Sequence, residues 1–241
     1  MTIAQATATN YSELLGVHDA VQLMNEYKGV PIAFPATITA VRGDAIQVST
    51  SKYQIVCLDT DKTTFIRSEH FPETYSAQVL QVDYASGQAA LGPVVASGAA
   101  IARRQYIRVQ PPDPIQVDLR IQNNPNSIQA DLIDLSIGGL SLFVVYELFV
   151  PGLFRKKGNV IVDVDLPTNG GQKTQKLQLS GRIVNKKLNL MNRLYRIGVY
   201  LEPDEAARTV LRQYVAQRQT ELIRELRTNH SLMATLSTRE E

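Results

Sequence analysis

Between residues 115 and 201 the chain is cut into six short runs, and no helical pattern falls between them. The run 159–166 is the plainest, with Val160, Val162 and Val164 alternating against Ile161, Asp163 and Asp165. The others are 115–121, 127–135, 140–146, 176–187 and 195–201, punctuated by Asn-Asn-Pro-Asn at 123–126, Gly138-Gly139, Pro151-Gly152, Lys156-Lys157-Gly158 and Gly170-Gly171. Alternation with a period of two marks strands with one face buried. Strands joined by short turns must pair antiparallel, because a parallel pair needs a crossover of a dozen or more residues. Six such strands predict an antiparallel barrel.

The preceding stretch reads as a second, smaller β unit behind one helix. The helix is expected over 18–28, where Val21, Met24 and Tyr27 fall near one face and Gly29 and Pro31 stop it. Strands are expected from Ala33 through the turn Arg42-Gly43-Asp44 to Thr50, then at 54–58, 63–67, 75–84 and 89–95. Small, weakly patterned residues at 96–102 read as a linker. After Pro203, Asp204 is placed to open a helix over 205–227, with Leu211, Val215, Leu222 and Leu226 as its apolar stripe, and the tail after Asn229 looks loose. That stripe packs on the chain's own barrel or on a second copy. The predicted division is 11–98, 99–203 and a helix at 204–228.

Composition narrows the function classes. The 241 residues are 44% hydrophobic and 20% charged, with a net charge of +2. So small a charge gives no case for a nucleic acid polymer or an anionic membrane as the general partner, and any anion site must be local. Cys57 is the single cysteine, so no internal disulfide is possible. With no signal-like N-terminus and no apolar run long enough for a membrane span, a soluble cytoplasmic protein is expected. His18, His70 and His230 are scattered, and no nucleotide-hydrolysis or nucleophile-elbow motif appears, so neither catalytic nor metal residues are expected. No cofactor is expected either.

Two short stretches carry chemistry. Arg104 and Arg108 lie four apart, and Pro111, Pro112 and Pro114 beyond them exclude a long helix. In an extended chain both face one side, with Cα atoms roughly 13 Å apart. An Arg fork fits a phosphate or the O6/N7 edge of guanine. Asp134 and Ser136 follow on a strand end, just ahead of Gly138-Gly139. The carboxylate can accept from the N–H edge of guanine, while the hydroxyl and a residue without a side chain suit close approach to a phosphate or sugar. Either stretch alone reads as solvated surface or as a turn. Together they describe a site for an anionic guanine nucleotide. Tyr106, on the arginines' side, either lines that site or packs at the domain junction, and packing is the first reading. Arg182, Arg193 and Arg196 read first as local positive charge, and Arg155-Lys156-Lys157 as a solvated loop.

The pattern Arg104-x-x-x-Arg108 with Asp134-x-Ser136-x-x-Gly139 resembles the two-part signature of the PilZ domain. The strands Ser180-Gly181-Arg182-Ile183-Val184 and Tyr195-Arg196-Ile197-Gly198-Val199 continue the resemblance, which covers about residues 100–203. The layout of the preceding β unit is similar to the N-terminal domain of flagellar-brake-type members, without a sharp motif. The resemblance implies a mostly β fold: a split-barrel-like N-terminal domain, a six-stranded antiparallel PilZ barrel, and a C-terminal helix. It also implies a receptor for the second messenger cyclic di-GMP. Arg104 and Arg108 would then hold phosphates and guanine edges, with Arg103 an additional contact. Asp134 and Ser136 would meet a guanine and its phosphate, and Gly138 and Gly139 would let the backbone come close. The implied partners are this ligand and a protein effector in motility, pilus or secretion machinery, with a homodimer as a further possibility. From a different class, the same barrel could dock a protein without any nucleotide.

Overall fold

A computed structural model of the chain describes residues 14–69, 74–97, 106–121, 126–148, 154–168 and 172–237. They fall into two compact units, one drawn from 1–27, 31–104 and 222–241, the other from 28–30 and 105–221. Each contains a closed six-stranded barrel. Arg103 and Arg104, with most of the expected linker, lie outside the described residues, as does His70.

The first barrel is built from β1 (Ala20–Tyr27), β2 (Val30–Arg42), β3 (Ala45–Thr50), β4 (Thr63–Arg67), β5 (Tyr75–Asp83) and β6 (Gln88–Ala96). They close in the order β1-β2-β3-β6-β5-β4. Leu23, Ile38, Ile46, Val48, Ile66 and Leu91 fill its interior. Gly43 has φ +60°, the left-handed turn conformation that the Arg42-Gly43-Asp44 signal anticipates.

Two expectations fail in this barrel. The segment expected as a helix over 18–28 is strand β1, with Val21, Leu23, Asn25 and Tyr27 all buried. Asn25 hides the alternation, because a polar residue occupies an inward position. It is tolerated there because Gln54 Nε2 and Thr64 Oγ1 each donate to its Oδ1 at 2.7 Å. Its own Nδ2 donates to Asp61 Oδ2 and to the Thr63 carbonyl at 2.9 and 2.8 Å. A buried amide so satisfied carries little penalty.

The second failure is at 54–58, expected as a strand and found within helix α1 (Lys52–Asp61). Ser51 caps it by accepting from the Gln54 N–H at 3.2 Å, and Lys62 ends it in the left-handed conformation. Gln54 through Leu58 are all buried, and a short, fully buried run has no period to tell helix from strand.

The second barrel is built from β7 (Ile115–Ile121), β8 (Ser127–Ser136), β9 (Gly139–Val145), β10 (Asn159–Thr168), β11 (Lys173–Asn189) and β12 (Leu194–Leu201). All neighbours are antiparallel, and β7 closes on β10. Val117, Leu119, Leu142, Val162, Leu179, Ile197 and Val199 are among its buried residues. The expected six strands and their order in the chain are all present.

Helix α2 (Glu205–Ser237) continues well past the expected end near 227, so residues 230–237 are helical rather than loose. Asp204 Oδ1 accepts from the Ala207 N–H at 2.8 Å, as its position before the helix anticipates. The expected stripe of Leu211, Val215, Leu222 and Leu226 is buried. No helix among the described residues is long and apolar enough to cross a membrane.

Cys57 is completely buried in α1, and burial, reinforced by nearby Asp61, pushes its thiol up to about 12. The thiolate is the reactive form, so the folded protein should react with a disulfide reagent far more slowly than the urea-unfolded chain. Labelling of the native protein at the rate of a free cysteine would contradict this packing.

Candidate functional site

The site begins with one extra residue in β8. Ala130 and Leu132 point into the barrel, and strict alternation would send Asp134 after them. The β8–β9 register shifts between Leu132 and Asp134. Leu135 therefore takes the next inward place, opposite Leu140, while Asp134 and Ser136 pair with Ser141 and Gly139 on the outer face. A β-bulge of this kind re-aims the side chains that follow it. Without it the Asp134 carboxylate would enter an apolar interior, where an unpaired charge is strongly disfavoured.

A second piece of chain comes alongside. Val109 and Leu135 exchange two backbone hydrogen bonds, at 2.9 and 3.0 Å. This isolated antiparallel bridge lies beyond the end of β7, whose last pair on that side is Ile115 with Leu132. Continuing the bridge's register sets Arg108 opposite Ser136 and Tyr106 opposite Gly138, all facing outward. The Tyr106 ring indeed lies against Gly138: a Cβ added there would come within 2.7 Å of the ring atoms.

Asp134 is the electrostatic centre of this face. Its side chain is only 9% exposed and is approached by two guanidinium groups. Arg196 Nη2 donates to Oδ2 at 3.1 Å. Arg108 Nη1 stands 3.6 Å from Oδ1, close enough for charge attraction but too far for a hydrogen bond. Oδ1 is thus buried without a hydrogen-bond partner. Arg196 reaches Asp134 from β12, two strands away, across Ser141, a small buried residue opposite both Asp134 and Gly198.

Ser136 is also buried, and its hydroxyl donates to the Gly139 carbonyl at 2.9 Å. That bond tightens the Ile137-Gly138 turn between β8 and β9. A phosphate oxygen, which only accepts, would have to draw this proton away from Gly139. Beside the turn, Tyr200 pairs with Gly139, and the Arg182 guanidinium lies 4.9 Å from the Tyr200 ring centre. A cation over an aromatic face at this distance is attracted to it.

Neither glycine of the turn has a positive φ, so each is needed for space. A Cβ on Gly139 would sit 2.8 Å from the Val199 carbonyl oxygen, so barrel packing alone accounts for it. Of the residues the sequence singles out, Arg108, Asp134, Ser136, Gly138 and Gly139 are brought together here. Arg196 and Tyr106 join them, though they read first as surface charge and as junction packing. Among the described residues no His, Cys, Asp and Glu group is placed to hold a metal ion.

Residues 102–217 match the PilZ domain model, and this part of the chain is a PilZ domain. Solved structures similar to the chain include the Bacillus subtilis inhibitor of motility MotI/DgrA, at 13% identity, with 86% of this chain and 99% of that one covered and a TM-score of 0.44. Another is the K. pneumonia MrkH–c-di-GMP complex, at 12% identity, 88% and 90% coverage and a TM-score of 0.41. A third is YcgR of Escherichia coli in complex with c-di-GMP, at 16% identity, 93% coverage of both chains and a TM-score of 0.39. No curated protein matches the sequence significantly.

The two glycines should respond differently to substitution. Gly139→Ala presses on a carbonyl fixed in the β9–β12 ladder and should cost about 1–3 kcal/mol in urea unfolding. Gly138→Ala presses on the Tyr106 ring, which is 37% exposed and can swing aside, so its cost should be smaller. The reverse order would refute this assignment of the close contacts.

Proposed function

We propose that the chain is a cytoplasmic cyclic di-GMP receptor of the flagellar-brake type, with an N-terminal barrel domain at 11–98 and the PilZ domain at 99–203, followed by helix α2. The observation that carries this reading is the convergence of Arg108 on buried Asp134, beside Ser136, on the outer face of a PilZ barrel.

The chemistry follows from the unequal contacts of Asp134. Arg196 orients the carboxylate through Oδ2 and leaves Oδ1 to accept from the N–H edge of guanine. Arg108, held only by charge, is available to a phosphate or to guanine O6 and N7. Arg104 and Arg103 would add further cations from the preceding segment. The ligand carries two negative charges and arginine stays protonated, so the attraction persists at any physiological pH. Micromolar affinity needs about 8 kcal/mol. A few charge-assisted hydrogen bonds at about 1.5–3 kcal/mol each, with base stacking, can supply it.

Ligand binding is read as changing the domain arrangement or a partner surface, with motility or secretion and exopolysaccharide output as the controlled process. Such a shift requires unequal ligand affinity for the two arrangements. The PilZ match gives no enzymatic family, and the reading assigns no catalytic step.

Titration calorimetry with cyclic di-GMP tests the binding. The wild type should bind saturably, and Arg104→Ala or Arg108→Ala should weaken binding by about tenfold or more. Arg196→Ala should weaken it too, with Arg196→Lys restoring part of the loss. Absence of heat with wild type would favour the module that docks a protein without nucleotide. Small-angle scattering with and without ligand should differ, and identical profiles would remove the rearrangement while sparing the binding.

A further inference from the structure

The far end of the PilZ barrel carries a surface that the nucleotide reading does not use. Strand β9 starts at the β8–β9 turn, where Gly139 pairs with Tyr200, and ends where Val145 pairs with Leu194. The β11–β12 hairpin therefore turns at the end opposite the Asp134 site. Its last ladder pair is Asn189 with Leu194, and Leu190-Met191-Asn192-Arg193 projects past it. Leu190 is 79% exposed and Met191 96% exposed. Two adjacent apolar side chains bared at a convex tip forgo burial that would favour them in almost any interior position.

The surroundings of this tip are cationic. Lys186 and Lys187 lie just behind it on β11, and Arg193 lies on the turn itself, all exposed. The Arg155-Lys156-Lys157 turn is bonded to the same strand. Lys157 N–H donates to the Ile183 carbonyl at 2.7 Å, and Ile183 N–H donates to the Gly158 carbonyl at 3.0 Å. Lys186 Nζ completes the junction by donating to the Phe154 carbonyl at 3.4 Å. Tertiary structure thus gathers basic residues from two separate segments, the 155–157 turn and the β11–β12 hairpin, around one apolar knuckle. Glu147, the nearby carboxylate, is engaged by Arg193.

We propose that the β11–β12 hairpin is a membrane-docking tip: Leu190 and Met191 enter the interface of an anionic bilayer while the Lys and Arg collar faces its headgroups. Three features favour a lipid surface over a protein groove. The tip is convex and bears its apolar atoms at the very apex. Its collar is mostly lysine, a mobile point charge suited to a diffuse anionic layer rather than to one fixed carboxylate. An apolar insertion and a basic patch are also the two signals that together hold a peripheral protein on a membrane. The chain's net charge of +2 is small, so the attraction is a property of this end.

The protein has no tryptophan, so Met191→Trp places a single reporter at the apex. The full chain is mixed with vesicles of phosphatidylcholine alone, or of phosphatidylcholine with phosphatidylglycerol. It should sediment with the anionic vesicles only, less at raised salt. The Met191→Trp emission should shift to the blue with those vesicles. Leu190→Glu with Met191→Glu should reduce sedimentation by about tenfold or more while leaving the circular dichroism spectrum unchanged. No sedimentation with anionic vesicles overturns the proposal. So does sedimentation without an emission shift, or sedimentation that the double variant leaves intact, since each places the contact elsewhere. If vesicles are not bound and the double variant instead loses an acidic protein partner, the tip is a protein dock and the lipid reading fails.

Discussion

One residue too many in β8 decides what the second barrel can present to solvent. A strand in a closed barrel alternates between inside and outside, and an inward place favours an apolar side chain unless buried partners satisfy a polar one. The register shift between Leu132 and Asp134 lets Leu132 and Leu135 both face inward, so Asp134 and Ser136 emerge outside. The bulge thus reconciles an uninterrupted core with a polar strand end. Its neighbours are matched to it: Ser141 and Gly139 oppose the two polar residues, and neither is large enough to cover them.

Once outside, Asp134 is still shielded, because the Tyr106–Gln110 segment bridges to β8 beside it and Arg196 crosses from β12. A carboxylate in such a position needs cationic company, since removing one partner from a shielded charge costs far more than an exposed salt bridge contributes. The two arginines meet the need unequally. Arg196 makes the hydrogen bond and fixes orientation, while Arg108 stands back at 3.6 Å and leaves one oxygen unbonded. That inequality separates a positioned acceptor from a fully satisfied salt bridge.

The sequence was most legible where one physical rule acted alone. Val160, Val162 and Val164 face one core and read as a strand at once. Asp204 caps α2 as any acidic residue before a helix would. Legibility failed where a long-range partner overrode the local pattern. Asn25 breaks the alternation of β1, and only Gln54, Thr64 and Asp61, distant in sequence, make its inward position tolerable. Gln54 to Leu58 are wholly buried, which erases the periodicity that would mark α1 as a helix. Helix α2 outruns its expected end near 227 and continues to Ser237.

The site shows the same division. That Arg108, Asp134, Ser136 and the glycine pair belong to one constellation was readable from residue type and spacing, because the chemistry of a guanidinium, a carboxylate and a hydroxyl does not depend on the fold. Arg196 was not readable as a member, since its partner lies 62 residues away and meets it across an intervening strand. Nor could spacing show that Gly139 answers to the Val199 carbonyl, or that Arg155, Lys156 and Lys157 share an end of the barrel with Lys186 and Lys187. Residue identity alone determined which charges exist and marked the strands of the second barrel. Which charges face one another was decided by barrel closure, because closure sets the strand order that puts distant side chains in reach.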